Sequence, residues 1–390
     1  MSGSQQVVEN LVIGGGPAGS MLAMRLAAAG LRVTLLEKER VAHHNVCGEF
    51  LSREAVGYLR QAGIEPRDLG ATAIRTVRLT AGRRTATSTL PFEALSLSRY
   101  ILDAAMLAQA HYKGCEVRRG VFVETLKKQG DTWLVRLRNG QSISARMVFL
   151  ANGKHDLHGW ERAEGRQCDL VGFKMHWRLS PTSTKTLREV MDLFLFDGGY
   201  GGLSLIEDDL ANLCLVVRRS KLRKIGGWER LFAGLLCENP HMFRRMQGAE
   251  AMWERPLAIS SIPYGYLAQQ PGGVWRVGDQ AAVIPSFTGD GMSIALHSGA
   301  LAAEMYLAGN SAEAYQSRLH TQLERGMSLA TILSRAMVTR AGRSFAPLIL
   351  ALFPNAMRWI AASTRIPEPA LCPATNDAVA GTAQRKSQIA

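Results

Sequence analysis

Two rhythms of apolar and polar residues run along the chain, one of period two and one close to 3.6. The first apolar run, Val7 to Ile13, stops at three consecutive glycines. An alanine-rich stretch with helical spacing follows from Ala18 to Ala29, and a second apolar run covers Arg32 to Glu37. Strand, turn, helix and strand in that order form a βαβ unit, which demands a parallel sheet with a right-handed crossover. Helical spacing returns at Ser52 to Ala62, and "RTVRLTAG" with "RTATSTL" alternates as a hairpin. Ser96 to Gly114 reads as a capped amphipathic helix closed by glycine.

The rest of the chain changes rhythm twice. Strands with turns at Gln129-Gly130-Asp131 and Asn139-Gly140 fill Glu116 to Gly153, and a second β-rich block spans Val171 to Arg219. In that block "FKMHWRL" places Phe173, Met175 and Trp177 on one face and Lys174, His176 and Arg178 on the other. Three antiparallel strands follow it. Helices are predicted within Gly226 to Met246, then an apolar strand "GVWRVGD", then a long helix from Asp290 to Ala308. Helical segments continue to about Ser363, and "ATNDAVAGTAQRKSQIA" has the composition of a disordered tail.

Gly14, Gly16 and Gly19 fit G-x-G-x-x-G in its required setting of strand, turn, helix and strand. The first glycine permits the turn, the second admits a pyrophosphate to the backbone, and the third lets helix and sheet close up. Pro17 and Ala18 open the helix, whose N-terminal amides suit a diphosphate. Glu37 ends the second strand 18 positions after Gly19, placed to bond ribose hydroxyls, with Lys38 beside it. These features predict a bound dinucleotide. Two later segments favour a flavin. "ISARMVFLANG" returns a strand to the same sheet at Gly153, and "VWRVGDQAAVIPSFTGDGM" ends a strand in Gly278-Asp279. A loop with Pro285, Gly289 and Gly291 then opens a helix near Met292, where a helix N-terminus can stabilise charge on a reduced ring.

G-x-G-x-x-G…E, A-N-G and G-D-x-A-x-x-x-x-P-x-x-x-x-G together resemble the FAD-binding set of the flavoprotein monooxygenase and geranylgeranyl reductase superfamily, in order from residue 7 to about 305. The resemblance implies FAD as cofactor. It places Gly278 and Asp279 at the ribityl–diphosphate link and Gly289 to Met292 at the pyrimidine end. "LSRYILD" resembles the family's helix start, which implies that Arg99 contacts the cofactor. The expected fold is α/β, a Rossmann-like FAD-binding domain with a parallel sheet and helices, interrupted by an antiparallel β-sheet substrate domain. The FAD-binding parts are 1–80, 96–165 and 266–310. A hairpin segment at 81–95 and a sheet at 166–265 form the substrate domain, C-terminal helices cover 311–368, and the tail is 369–390.

Composition narrows the class. Among 390 residues, 47% are apolar and 20% charged, the balance of a globular protein. The net charge is +13, but Lys and Arg are scattered apart from short clusters such as "RRSKLRK", and no RNA- or DNA-binding motif accompanies them. Nucleic acid is therefore excluded as an expected partner. Six cysteines are widely spaced, without C-x-x-C and without zinc-ligand spacing, so no metal and no disulfide framework are expected. No apolar stretch reaches membrane-spanning length, and the first apolar run leads directly into the glycine turn rather than a signal cleavage site. The expected location is cytoplasmic, with the Arg-flanked stretch Arg343 to Arg365 as a candidate for peripheral contact with the inner membrane surface.

The reaction is less explicit. There is no second G-x-G-x-x-G, so NAD(P)H is expected to dock transiently, a protein electron donor being the alternative. "NVCGEFLS" resembles the cysteine loop of geranylgeranyl reductases, making Cys47 a candidate over the ring. Glu49 is a candidate proton donor if burial raises its pKa. The aromatic–proline strand motif of those reductases is missing; "GGYGGLSL" stands there with Tyr200 in place. The halogenase tryptophan signature is also absent. Tyr200 and Trp177 are the candidate substrate residues in a middle sheet facing a lipophilic small molecule. The first expectation is an NAD(P)H-dependent monooxygenase hydroxylating an apolar aromatic or polyketide-like compound. A reductase of prenyl-type C=C bonds and a flavin-binding protein without turnover are its alternatives.

Overall fold

A computed structural model describes residues 7–269, 272–344 and 355–373. Residues 374–390, for which a disordered tail is predicted, and 345–354 of the Arg-flanked stretch lie outside the described residues.

The predicted βαβ unit forms Val8–Ile13, Pro17–Ala28 and Val33–Glu37. Val8–Ile13 lies at the centre of a seven-stranded sheet, parallel to Val33–Glu37 on one side and to Ser142–Leu150 on the other. Glu116–Arg119 extends one edge in parallel, and a meander of Val123–Gln129 and Thr132–Leu137 extends the other. Trp275–Arg276 joins the same sheet beside Ser142–Leu150, returning the chain to its starting domain more than a hundred residues later. Ten of the twelve residues of the Pro17–Ala28 helix are buried. The helix is alanine-rich because it is sandwiched: a Cβ on Gly299 of the Gly291–Leu307 helix would sit 2.3 Å from the Ala18 carbonyl oxygen. Only glycine allows that crossing.

The second sheet has nine strands and is antiparallel apart from one parallel pair, Glu189–Phe196 against Thr72–Ala81. The three strands expected after Val190 are Glu189–Phe196, Gly199–Leu205 and Ala211–Arg218, and they pair in sequence. Leu170–Arg178 pairs with Ala211–Arg218 from Leu170 to Trp177. The hairpin of this sheet, Thr72–Ala81 with Arg84–Ser96, is longer than the 81–95 segment read from sequence. The alternating "RTVRLTA" lies in its first strand, which begins at Thr72, within the 1–80 part assigned to the FAD-binding domain. Helices between Arg219 and Met246 cover the outer face of the sheet, and Ala312–Met337 and Asn355–Ser363 close the molecule on the other side. Among the described residues no helix is long and apolar enough to cross a membrane.

Candidate functional site

At the glycine turn, Gly14 has φ +110°, and a Cβ there would lie 2.4 Å from the Ala151 carbonyl oxygen, so no other residue fits. Gly19 is equally confined, its Cβ position being 2.0 Å from the Gly14 carbonyl oxygen. Gly16 differs: a Cβ would meet only the Arg99 guanidinium, at 3.4 Å, and otherwise enter the cavity. The buried Glu37 carboxylate accepts from the amides of Gly15 (2.8 Å) and Glu39 (2.9 Å), pinning the turn while keeping lone pairs for a further donor. Lys38 is off the cavity, its half-exposed ammonium 3.8 Å from Glu39. It follows the end of Val33–Glu37, and neither it nor Glu37 is among the residues that line the cavity.

Pro17, Ala18 and Arg99 line the cavity next to Gly16. Arg99 grips Asp103 with two bonds of 2.6 Å on the helix that Ser98 caps. Burial disfavours its charge, but Asp103 beside it outweighs burial and raises its pKa above the ordinary arginine value. Gly278, with φ +61°, packs against Ala18 and donates to Ser298 Oγ at 2.8 Å; Asp279 follows it on the cavity wall. Gly289, with φ +73°, lies against the Phe50 ring, and Gly291 and Met292 complete the wall. Pro285 is not on the wall; it leads the short 3-10 turn Ser286–Thr288 that is. A Cβ at Gly153 or Gly291 would meet nothing within 4 Å. Bare backbone facing open space, with a helix N-terminus and a fixed cation at one end, fits an extended dinucleotide.

The cavity, about 420 Å³, runs from this cradle under the second sheet. Val77, Leu79, Met191, Leu193 and Val216 form its roof, and Leu333, Met337, Ile360 and Ala361 its far wall. Tyr200 is on the roof, its hydroxyl 3.2 Å from Ser334 Oγ, which donates to Gln167 at 2.8 Å. Burial pushes the Tyr200 phenol up to about 12, so it is neutral. Trp177 is elsewhere, and the expectation for it is corrected. It stacks on Phe232 at 5.1 Å, in the core beneath the outer helices with Phe173. Both faces of Leu170–Arg178 are buried, and the polar face, not the apolar one, is turned toward the cofactor side. Trp177→Ala is expected to lower stability by about 2 kcal/mol and to leave the KM for substrate unchanged, as denaturation and steady-state kinetics will show.

That polar face meets the cysteine loop. Cys47 lines the cavity, its carbonyl accepting from Asn212 Nδ2 at 3.1 Å and its thiol from the Glu49 amide at 3.4 Å. Lys154 donates to the Val46 carbonyl. Glu49 is fully buried with φ +57°, a conformation few acids adopt. One of its oxygens takes the Lys174 ammonium and the Arg99 amide (2.8 Å), and the other lies 2.9 Å from His176 Nε2. Burial alone would raise its pKa, but Lys174 and His176 outweigh burial and lower it below the ordinary carboxylate value. The proton-donor expectation for Glu49 is therefore corrected: this carboxyl is held ionised. His44 packs against His176, Trp253 and Tyr100. Burial, then the charge of Lys174, lowers its pKa to about 4. His44, Glu49 and His176 bring ligand-type atoms within 4.8 Å of one another, but the buried Lys174 ammonium already supplies the cation there.

Sequence reading missed Lys174 and His176 as partners, although a Lys-x-His pair inside an otherwise apolar strand was a usable signal. It also missed Arg365. This buried guanidinium lies over the Phe92 ring at 4.5 Å and bonds Asp290 at 2.6 Å, at the head of the Gly291–Leu307 helix. Burial pushes Asp290 up to about 6.

Residues 7–158 match the family described as FAD binding domain. Digeranylgeranylglycerophospholipid reductase 2 of Methanosphaera stadtmanae is 26% identical over 75% of this chain and 76% of its own length. Menaquinone reductase of Mycobacterium tuberculosis is 24% identical over 83% and 82%. Rifampicin monooxygenase of Streptomyces venezuelae is 30% identical, over 37% of this chain and 31% of its own. Among solved structures, the myxobacterial chondrochloren halogenase CndH superposes with a TM-score of 0.73 over 93% of this chain and 92% of that one, at 21% identity. The halogenase likeness is one of fold. The cradle and the matched family agree that residues 7–158 form an FAD binding domain, and the chain as a whole is similar to FAD-dependent oxidoreductases, among them reductases and a monooxygenase.

Proposed function

We propose that the protein is an NAD(P)H-dependent monooxygenase that hydroxylates a lipophilic aromatic or polyketide-like molecule. The observation that carries this reading is a largely apolar cavity, continuous with the cofactor cradle, whose neighbouring acid Glu49 is ionised and fully engaged. Bound FAD would supply the two-electron chemistry and the reaction with dioxygen. The chain's residues hold and enclose. Arg99 and the Pro17–Ala28 N-terminus would hold the diphosphate. Lys154 and Asn212 fix the Cys47 loop by its backbone. Tyr200 and Tyr264 both reach Ser286 and brace the 286–289 turn, and the aliphatic roof keeps water out.

Overall, a substrate C–H, dioxygen, NAD(P)H and a proton become C–OH, water and NAD(P)⁺. In an oxygen electrode, substrate should stimulate NAD(P)H oxidation with one O₂ consumed per NAD(P)H and one oxygen atom gained by the product. Stimulated oxidation that ends wholly in peroxide, with substrate unchanged, sinks the reading.

A second reading, reduction of a prenyl-type double bond, is favoured by two relatives that span most of the chain and are reductases by name. There C=C, NAD(P)H and a proton give the saturated bond and NAD(P)⁺, and the Cys47 thiol is one of the protic groups that line the cavity. Substrate saturation under anaerobic conditions, lost in Cys47→Ala, selects it.

A further inference from the structure

The helices that close the cavity have a second face. From Arg325 to Ser344 the chain carries four arginines and no acid, and from Asn355 to Ile366 two arginines and no acid. Arg343 is held by Glu238 and Arg365 by Asp290. Arg325, Arg335 and Arg358 are exposed and form no ion pair among the described residues. Between these cations lie two large apolar side chains in water, Ile332 at 66% and Trp359 at 61% exposure. Ile332 shares a helix face with Arg325, two turns before it, and Arg335, one turn after. The residues next to them in sequence turn inward: Leu333 and Met337 from one helix, Ile360 and Ala361 from the other, line the cavity. The two segments touch, since a Cβ on Gly326 would lie 2.9 Å from the Thr364 carbonyl oxygen.

An outer face of aromatic and aliphatic side chains among unpaired arginines suits the boundary between headgroups and acyl chains of an anionic bilayer. The chain's net charge of +13 draws it to such a surface. We propose that the outer faces of residues 325–337 and of Asn355–Ser363 dock on an anionic phospholipid surface, so that a lipophilic substrate passes from the bilayer into the cavity between those helices. The second half of this statement rests on the substrate class proposed above. The first half does not.

Flotation of the full-length protein with extruded vesicles tests it. The protein should rise with phosphatidylcholine vesicles that contain phosphatidylglycerol and stay down with phosphatidylcholine alone. High salt should release it. Removing an interfacial arginine should weaken binding about fivefold, so Arg325→Gln with Arg335→Gln gives about 25-fold. Trp359→Ala should weaken binding as well, while NAD(P)H oxidation with detergent-dispersed substrate is kept in the arginine variant. Equal flotation with neutral vesicles, no flotation with either, or unchanged binding by the variants overturns docking on a lipid surface. So does binding to polyglutamate without binding to vesicles, which would mark the face for an acidic polypeptide. Because flotation needs no turnover, failure of the proposed reaction and failure of docking read separately.

Discussion

Replacing Glu49 with glutamine is expected to remove about 3–5 kcal/mol of folding stability, although the side chain keeps its shape. Lys174 is the reason. Its ammonium is fully buried, and Glu49 is the carboxylate it touches. Glutamine can still accept from the Arg99 amide, but it leaves a buried positive charge without a counter-charge. Adding Lys174→Met should recover a large part of the loss, because the pair then goes as a unit. The pH dependence has a definite sign. The folded pKa of Glu49 is depressed, so its contribution is present above the unfolded carboxyl value, about 4.3, and is lost as pH falls through the folded value. Urea titrations of wild type and Glu49→Gln should therefore converge in acid. Equal stability at neutral pH would show that the network is not what anchors the cysteine loop.

Gly16→Val is expected to weaken FAD binding about a hundredfold, close to 2.7 kcal/mol, while the apoprotein melts within a few degrees of wild type. Gly16 has φ −71°, open to any residue, and its new side chain would project past Arg99 into the cradle. The neighbouring Gly14→Ala should behave differently and fail at folding, since its Cβ would overlap Ala151 backbone. Flavin fluorescence quenching measures the first effect and thermal denaturation the second. If Gly16→Val binds FAD like wild type, the diphosphate lies somewhere other than over the glycine turn.

The parts of the site that the chain discloses are those set by local geometry. Gly14 and Gly19 declare themselves because a turn between strand and helix leaves no room for a Cβ, and the spacing to Glu37 follows from one helix and one strand. Alternation also revealed the two faces of Leu170–Arg178, but not which face turned to the cofactor. That choice depends on Glu49, 125 residues away from Lys174, and on Phe232 beneath Trp177. The same gap explains the direction of the Glu49 pKa. Burial and its sign are legible near Cys47, whereas Lys174 and His176 arrive from a strand more than a hundred residues further along the chain. Asp290 and Arg365 lie 75 positions apart and join only once the last helix has packed.

The crossing of Gly299 over Ala18, together with the late strand Trp275–Arg276 in the first sheet, has a consequence for biogenesis. A nascent chain holding only the opening βαβ unit has a glycine bend but neither the Gly278–Asp279 wall nor the Gly289–Met292 floor. Flavin capture must therefore await release of nearly the whole polypeptide from the ribosome, and chains arrested before that point expose an alanine-rich helix to chaperones rather than to cofactor.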